Sequence, residues 1–193
     1  MGAIFQSLGR TVLAGVVLLA LLVLAVGTDA GASHAWWTFF MRWLHVLCGV
    51  MWIGLLWYFN FVQIPSMPKI PDEQKPAISK VIAPTALFWF RWAAAATVVT
   101  GLLLAAMSGY IVSALSLQKP FTAIGIGMWL ALVMAFNVWF IIWPNQKKAL
   151  GIVVVEAAEK AKAARMAMLT SRFNTMFSIP MLFCMVAQQN GGL

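Results

Sequence analysis

An all-α, integral membrane bundle of about five transmembrane helices is the fold class this sequence predicts, on three observations. Of 193 residues, 63% are hydrophobic and only 9% charged, and the mean hydropathy is +0.90, which leaves too little polar surface for a water-soluble domain. The apolar residues are gathered into five runs of spanning length, about 10–27, 36–64, 83–115, 121–143 and 170–188. The net charge of +8 falls between those runs rather than on a polar domain, so topology explains it better than a nucleic-acid partner does.

The first run, TVLAGVVLLALLVLAVG after Arg10, reads as a retained anchor. A signal peptide cleaved after Ala35 is the alternative reading of the same residues. The second, from Trp36 to Ile64, would reach ~43 Å as one helix, longer than the ~30 Å hydrocarbon core, and so should tilt or project. Pro65, Pro68, Pro71 and Pro76, with Lys69, Asp72, Glu73, Lys75 and Lys80, predict a polar loop over about 65–82. The third run starts near Pro84 and weakens at Ser108-Gly109. The fourth follows Lys119-Pro120 and stops at Trp143-Pro144-Asn145. Residues 145–169 mix lysines with Glu156 and Glu159, and the Glu156/Lys160 spacing suits an interfacial or projecting helix. All 193 residues thus form one membrane domain.

Charge asymmetry sets the expected orientation. Arg10, Lys69, Lys75, Lys80, Lys147, Lys148, Lys160, Lys162, Arg165 and Arg172 lie on one side, against Arg42 and Lys119 on the other. The positive-inside rule then predicts a multi-pass protein of the inner (cytoplasmic) membrane, with a cytoplasmic N-terminus and an external C-terminus.

Few residues offer chemistry. His45 lies within the second run with Gly49 and Trp52 at i+4 and i+7, one helix face. A histidine nitrogen there can ligate haem iron, the glycine lets a flat macrocycle approach, and the tryptophan packs its edge. Arg42, one turn outward, is placed for a propionate. The competing reading is a neutral histidine bonded between helices, with glycine and tryptophan serving packing and anchoring. Arg91 is a charge within an apolar run, a functional candidate unless it snorkels to headgroups. Asn137 and Asn174 need partners inside the bundle and read first as helix glue. Cys48 and Cys184 sit in apolar runs as small hydrophobes. No CxxCH, P-loop, GxGxxG or HExxH occurs, so covalent haem c is not expected and conventional soluble-enzyme chemistry has no visible site.

Several segments together carry a resemblance: Arg42-Trp43-Leu44-His45-Val46 with Gly49 and Trp52-Ile53-Gly54; Phe88-Trp89-Phe90-Arg91-Trp92; Asn137-Val138-Trp139; Trp143-Pro144-Asn145-Gln146-Lys147; and Ser171-Arg172-Phe173-Asn174-Thr175. Over most of residues 36–188 the chain resembles the membrane domain of the cytochrome-c-linked urate hydroxylase (urate oxidase) family. In that family an external c-type cytochrome commonly follows the membrane domain. These residues contain no such domain, which implies a shortened form, and Phe173 stands where the family pattern often has histidine. The His45 segment is also similar to intramembrane histidine segments of other haem-associated families, including a membrane protoporphyrinogen oxidase. Three functions follow as expectations. The first is a membrane redox protein, an oxidoreductase candidate, binding haem b through His45, with Arg42 or Arg91 near propionates and a separate cytochrome or other membrane subunit as electron partner. The second is a haem-free accessory or scaffold subunit. The third is a small-molecule or metal transporter using Arg91, Asn137 and Asn174.

Overall fold

A computed structural model describes residues 2–27 and 30–192. Every regular element among them is helical. The chain divides into two units, residues 1–40 and 41–193.

In the first unit, α1 (Gly2–Phe5) is separated by the extended Ser7 from α2 (Leu8–Val26). The Thr11 hydroxyl ties the joint to the Ile4 and Ser7 carbonyls. No residue of α2 is buried although all but its first turn is apolar. A helix apolar all round and unburied is suited to lipid, not to water. The unit ends in an aromatic cluster, with Trp36 stacked on Phe40 at 5.4 Å and Trp37 Nε1 donating to the Gly31 carbonyl at 3.2 Å. Amphipathic rings of this kind suit the membrane interface.

The helix α3 (His34–Lys69) runs into the second unit, followed by α4 (Lys75–Met107), the short α5 (Ile111–Leu115), α6 (Thr122–Ala149) and α7 (Ala157–Asn190). Helices α2, α3, α4 and α6 are each long and apolar enough to cross a membrane. Prolines explain the irregularities of three of them. Wide π turns occupy Tyr58–Gln63, Ile78–Ile82 and Asn137–Ile142, and each ends two residues before a proline: Pro65, Pro84 and Pro144. Proline lacks an N–H and its ring crowds the carbonyl four residues back. A π turn widens that stretch, so the helix passes through the proline instead of ending there.

The expected loop over 65–82 is corrected accordingly. Helix α3 continues to Lys69 and α4 begins at Lys75, leaving only a short connection closed by the Lys75–Asp72 ion pair. The third span is also shorter than its apolar run. It stops at Met107, where Gly109 at φ +76° lets its own N–H reach the Ala106 carbonyl and the Tyr110 N–H reach that of Ala105. That C-terminal cap needs a left-handed residue, which glycine supplies without strain. Residues 111–115 form the separate α5. Over 145–169, α6 extends to Ala149 and a helix begins at Ala157, as the charge pattern suggested, but it continues unbroken for 34 residues as α7.

The expected fifth span lies within α7 and is too polar to match the other four. Its polarity is turned inward. Ser171, Asn174, Ser178, Met181, Cys184 and Ala187 are buried at three- and four-residue spacing, while Phe173, Met176, Ile179, Phe183 and Val186 are exposed. Large apolar side chains outside and small or polar ones inside is the pattern of a helix between lipid and a bundle. Trp52, Leu56 and Phe59 from α3, Leu87, Phe90 and Ala94 from α4, Met134, Val138 and Ile142 from α6, and Met181 from α7 form the core. Gly125 of α6 lies against the Ala114 carbonyl, so α5 folds back in close contact.

Candidate functional site

Between α3, α4, α6 and α7 the bundle forms a cavity of about 620 Å³ that is open on one side, within the range of small-molecule and cofactor sites. Its walls are mostly apolar. Arg42, His45, Gly49 and Trp52 of α3, which the sequence put on one helix face, all line it. Arg91 does not.

The His45 imidazole is fixed by α4. Its Nδ1 lies 2.9 Å from the Thr97 carbonyl oxygen and 3.2 Å from the Thr100 hydroxyl. A carbonyl oxygen only accepts, so Nδ1 carries the proton and the neutral ring keeps its lone pair on Nε2. Thr100 donates to the Ala96 carbonyl at 2.7 Å and accepts from the ring as a second acceptor. The close approach depends on Gly101, since a Cβ there would stand 2.7 Å from His45 Cε1 and 3.1 Å from Nδ1. Thr97, Thr100 and Gly101 were missed in the sequence reading. The available signal was their small or hydroxyl character at i, i+3 and i+4 in an apolar helix, a pattern that marks close helix contact.

The remaining wall has three features relevant to a ligand. A Cβ added to Gly49 would meet the Thr97 methyl at 4.0 Å, an ordinary van der Waals contact, so this glycine faces α4 across the cavity edge. Trp52 is fully buried, yet its indole N–H has no acceptor, and the buried Arg42 Nε has none either. Two sequestered donors beside a cavity are costly unless something else in it accepts from them. Tyr110 shares the cavity with Arg42. Burial pushes its phenol above the ordinary range, and the nearby Arg42 charge opposes that rise. Met128, Met181 and Met185 also line the space, bringing thioether sulfurs to the cavity that holds the imidazole.

These features fit a haem group: a histidine with a fixed tautomer and a free Nε2, a glycine that adds no side chain to the wall and a cation for a carboxylate. Among the described residues no group of three or more His, Cys, Asp or Glu assembles into a protein-only metal site.

The other singled-out residues lie elsewhere. Asn137 Nδ2 donates to Asn174 Oδ1 at 2.8 Å, and Asn174 Nδ2 donates to the Met134 carbonyl at 2.9 Å. Asn174 thereby serves a carbonyl next to the π turn of α6, which is the helix-glue role. The Arg91 guanidinium lies 3.3 Å above the centre of the Trp143 ring. Phe173 is 40% exposed on α7 and is not part of the cavity wall.

Fold and cavity define a class: a multi-pass helical membrane protein with an apolar internal site. Residues 110–191, fewer than half of the chain, match the model of the family described as urate oxidase N-terminal. The match includes Asn137, Trp143 and Asn174 but not Arg42, His45, Gly49, Trp52 or Arg91. No curated protein and no solved structure matches the chain.

Proposed function

We propose that this protein is a membrane redox protein that binds haem b in the cavity, with His45 Nε2 as an axial ligand. The observation that carries the reading is the His45 Nδ1–H donating to the Thr97 carbonyl. A backbone acceptor on one ring nitrogen orients the ring, fixes its tautomer and raises the basicity of the other nitrogen, which is how ligating histidines are commonly supported. Gly49 adds no side chain against a macrocycle on α3, Arg42 would neutralise a propionate, and Trp52 would pack against the macrocycle edge. Met128, Met181 and Met185 would supply thioethers to the same cavity. When bound, haem supplies one-electron chemistry beside mostly apolar walls. A separate cytochrome or another membrane subunit would exchange the electrons.

The proposed topology is five spans in the inner membrane, with α7 as the fifth, the N-terminus cytoplasmic and the C-terminus external. The excess of Lys and Arg near the α3–α4 and α6–α7 connections supports that orientation. A C-terminal reporter active only in the cytoplasm would overturn it. A second reading, a haem-free accessory subunit, is favoured by His45 being the cavity's one imidazole.

An oxidised-minus-reduced visible spectrum of protein purified in mild detergent separates the two. The proposal expects a b-type difference spectrum. A colourless protein after expression with ample haem supply makes the accessory reading the better one.

A further inference from the structure

Arg91 presents an unsolved electrostatic problem outside the cavity. Its guanidinium lies on the Trp143 ring, 3.3 Å from the ring centre, a cation–π contact that offsets part of the cost of its partial burial. Such a contact engages the face of the guanidinium and leaves its in-plane N–H groups unused. Two of these nitrogens, Nε and Nη1, are sealed from solvent and have no acceptor. The ion pairs among the described residues join Lys75 to Asp72 and Lys148 to Glu159, so neither carboxylate serves Arg91. Glu73 and Glu156 are exposed and are not paired with it.

A second cation attends the same ring. Lys147, one turn beyond Trp143, holds Nζ 5.7 Å from the ring centre and has no carboxylate partner either. Two positive charges around one indole, with no carboxylate paired to either, call for an anion with several acceptor oxygens. Guanidinium's planar fork of donors matches phosphate oxygens in particular, and an ammonium adds a movable point charge. The depth is also informative. Trp143 closes the apolar part of α6 immediately before Pro144, Asn145, Gln146, Lys147 and Lys148, the level at which tryptophans meet lipid headgroups.

We propose that Arg91, Trp143 and Lys147 form a binding site for a phosphate oxyanion, supplied by the headgroup of an anionic phospholipid in the adjacent leaflet. The accessible edge of the Arg91 guanidinium donates to the phosphate oxygens, Lys147 adds charge from the headgroup side, and Trp143 holds the guanidinium plane. The site does not depend on haem in the cavity, because neither Arg91 nor Trp143 lines it.

Native mass spectrometry of the full chain, released from detergent after exposure to phosphatidylglycerol, tests this. Wild type should keep one phosphatidylglycerol per chain through delipidation. Lys147→Gln changes a side chain at the helix end and should preserve the fold, and Arg91→Gln removes the fork. Each should weaken retention by at least about tenfold, the factor expected from losing one charge-assisted hydrogen bond. Arg91→Lys should recover part of it. In a second arm, inorganic phosphate is offered to delipidated protein. Binding that both Gln substitutions abolish supports the site and identifies free phosphate as a source. Retention of phosphatidylglycerol and phosphate at wild-type levels in both Gln variants would overturn the proposal.

Discussion

Replacing Gly101 with alanine tests the link between helix packing and the candidate ligand. The new Cβ would lie 2.7 Å from His45 Cε1, whereas carbon atoms in contact rest at about 3.5–4.0 Å. The ring must therefore retreat by roughly 0.8 Å or more. Its hydrogen bond to the Thr97 carbonyl begins at 2.9 Å, and a retreat of that size along the bond takes it beyond useful length. Overpacking costs about 1–3 kcal/mol and the lost hydrogen bond about 0.5–1.5 kcal/mol. Against these stands a gain of about 0.5–1 kcal/mol from replacing a glycine in a helix. A net loss of about 0.5–4 kcal/mol is expected. Gly54→Ala is the internal control, because a Cβ there meets nothing within 4 Å and only the gain remains. Unfolding in mixed micelles measures the pair, and nitrogen NMR of the histidine reports whether Nδ1 keeps its proton. If Gly101→Ala is as stable as Gly54→Ala and leaves the imidazole signals unchanged, the packing argument is wrong.

Other consequences follow from the same geometry. In a double-mutant cycle, Asn137→Ala and Asn174→Ala should show a coupling of about 0.6–1.7 kcal/mol in mixed-micelle unfolding, the range for hydrogen bonds between membrane helices. Gly49→Leu should lower haem content per chain and cost about 1–3 kcal/mol, because its Cβ already reaches the Thr97 methyl at 4.0 Å and the rest of the side chain overpacks α3 against α4. Phe173→His should leave the visible spectrum unchanged, because residue 173 is outside the cavity wall. Asp72, fully exposed, is held below the usual carboxylate range by its hydrogen bond to Lys75. With its folded value lowered, its contribution is complete above the unfolded value and is lost as pH falls through the lowered one. Exposure makes that contribution small, so Asp72→Asn should not measurably change thermal stability at pH 7.

The helical membrane class was legible because hydropathy and run length follow directly from the bilayer's thickness. The shared face of His45, Gly49 and Trp52 was equally legible, since helical spacing fixes it before any packing occurs. Proline was misread as a terminator over residues 65–82, because its usual effect is local and the π turn that accommodates it is not written in any one residue. Arg91 was open to three readings, a propionate partner, a snorkelling side chain and part of a transport path. Depth along a helix does not reveal which neighbour faces a side chain, and Trp143, distant in sequence, decided it. The ring's partners Thr97, Thr100 and Gly101 escaped notice for the same reason: hydroxyl and glycine positions in an apolar helix gain meaning only when the opposite helix is known.

Haem content of His45→Ala beside wild type tests the central claim most directly. Both are expressed with ample haem, purified in the same mild detergent and assayed for haem per folded chain. The account predicts close to one haem per wild-type chain and nearly none in His45→Ala, with the variant still inserted and helical. Wild-type haem content with an unchanged spectrum in His45→Ala would contradict it.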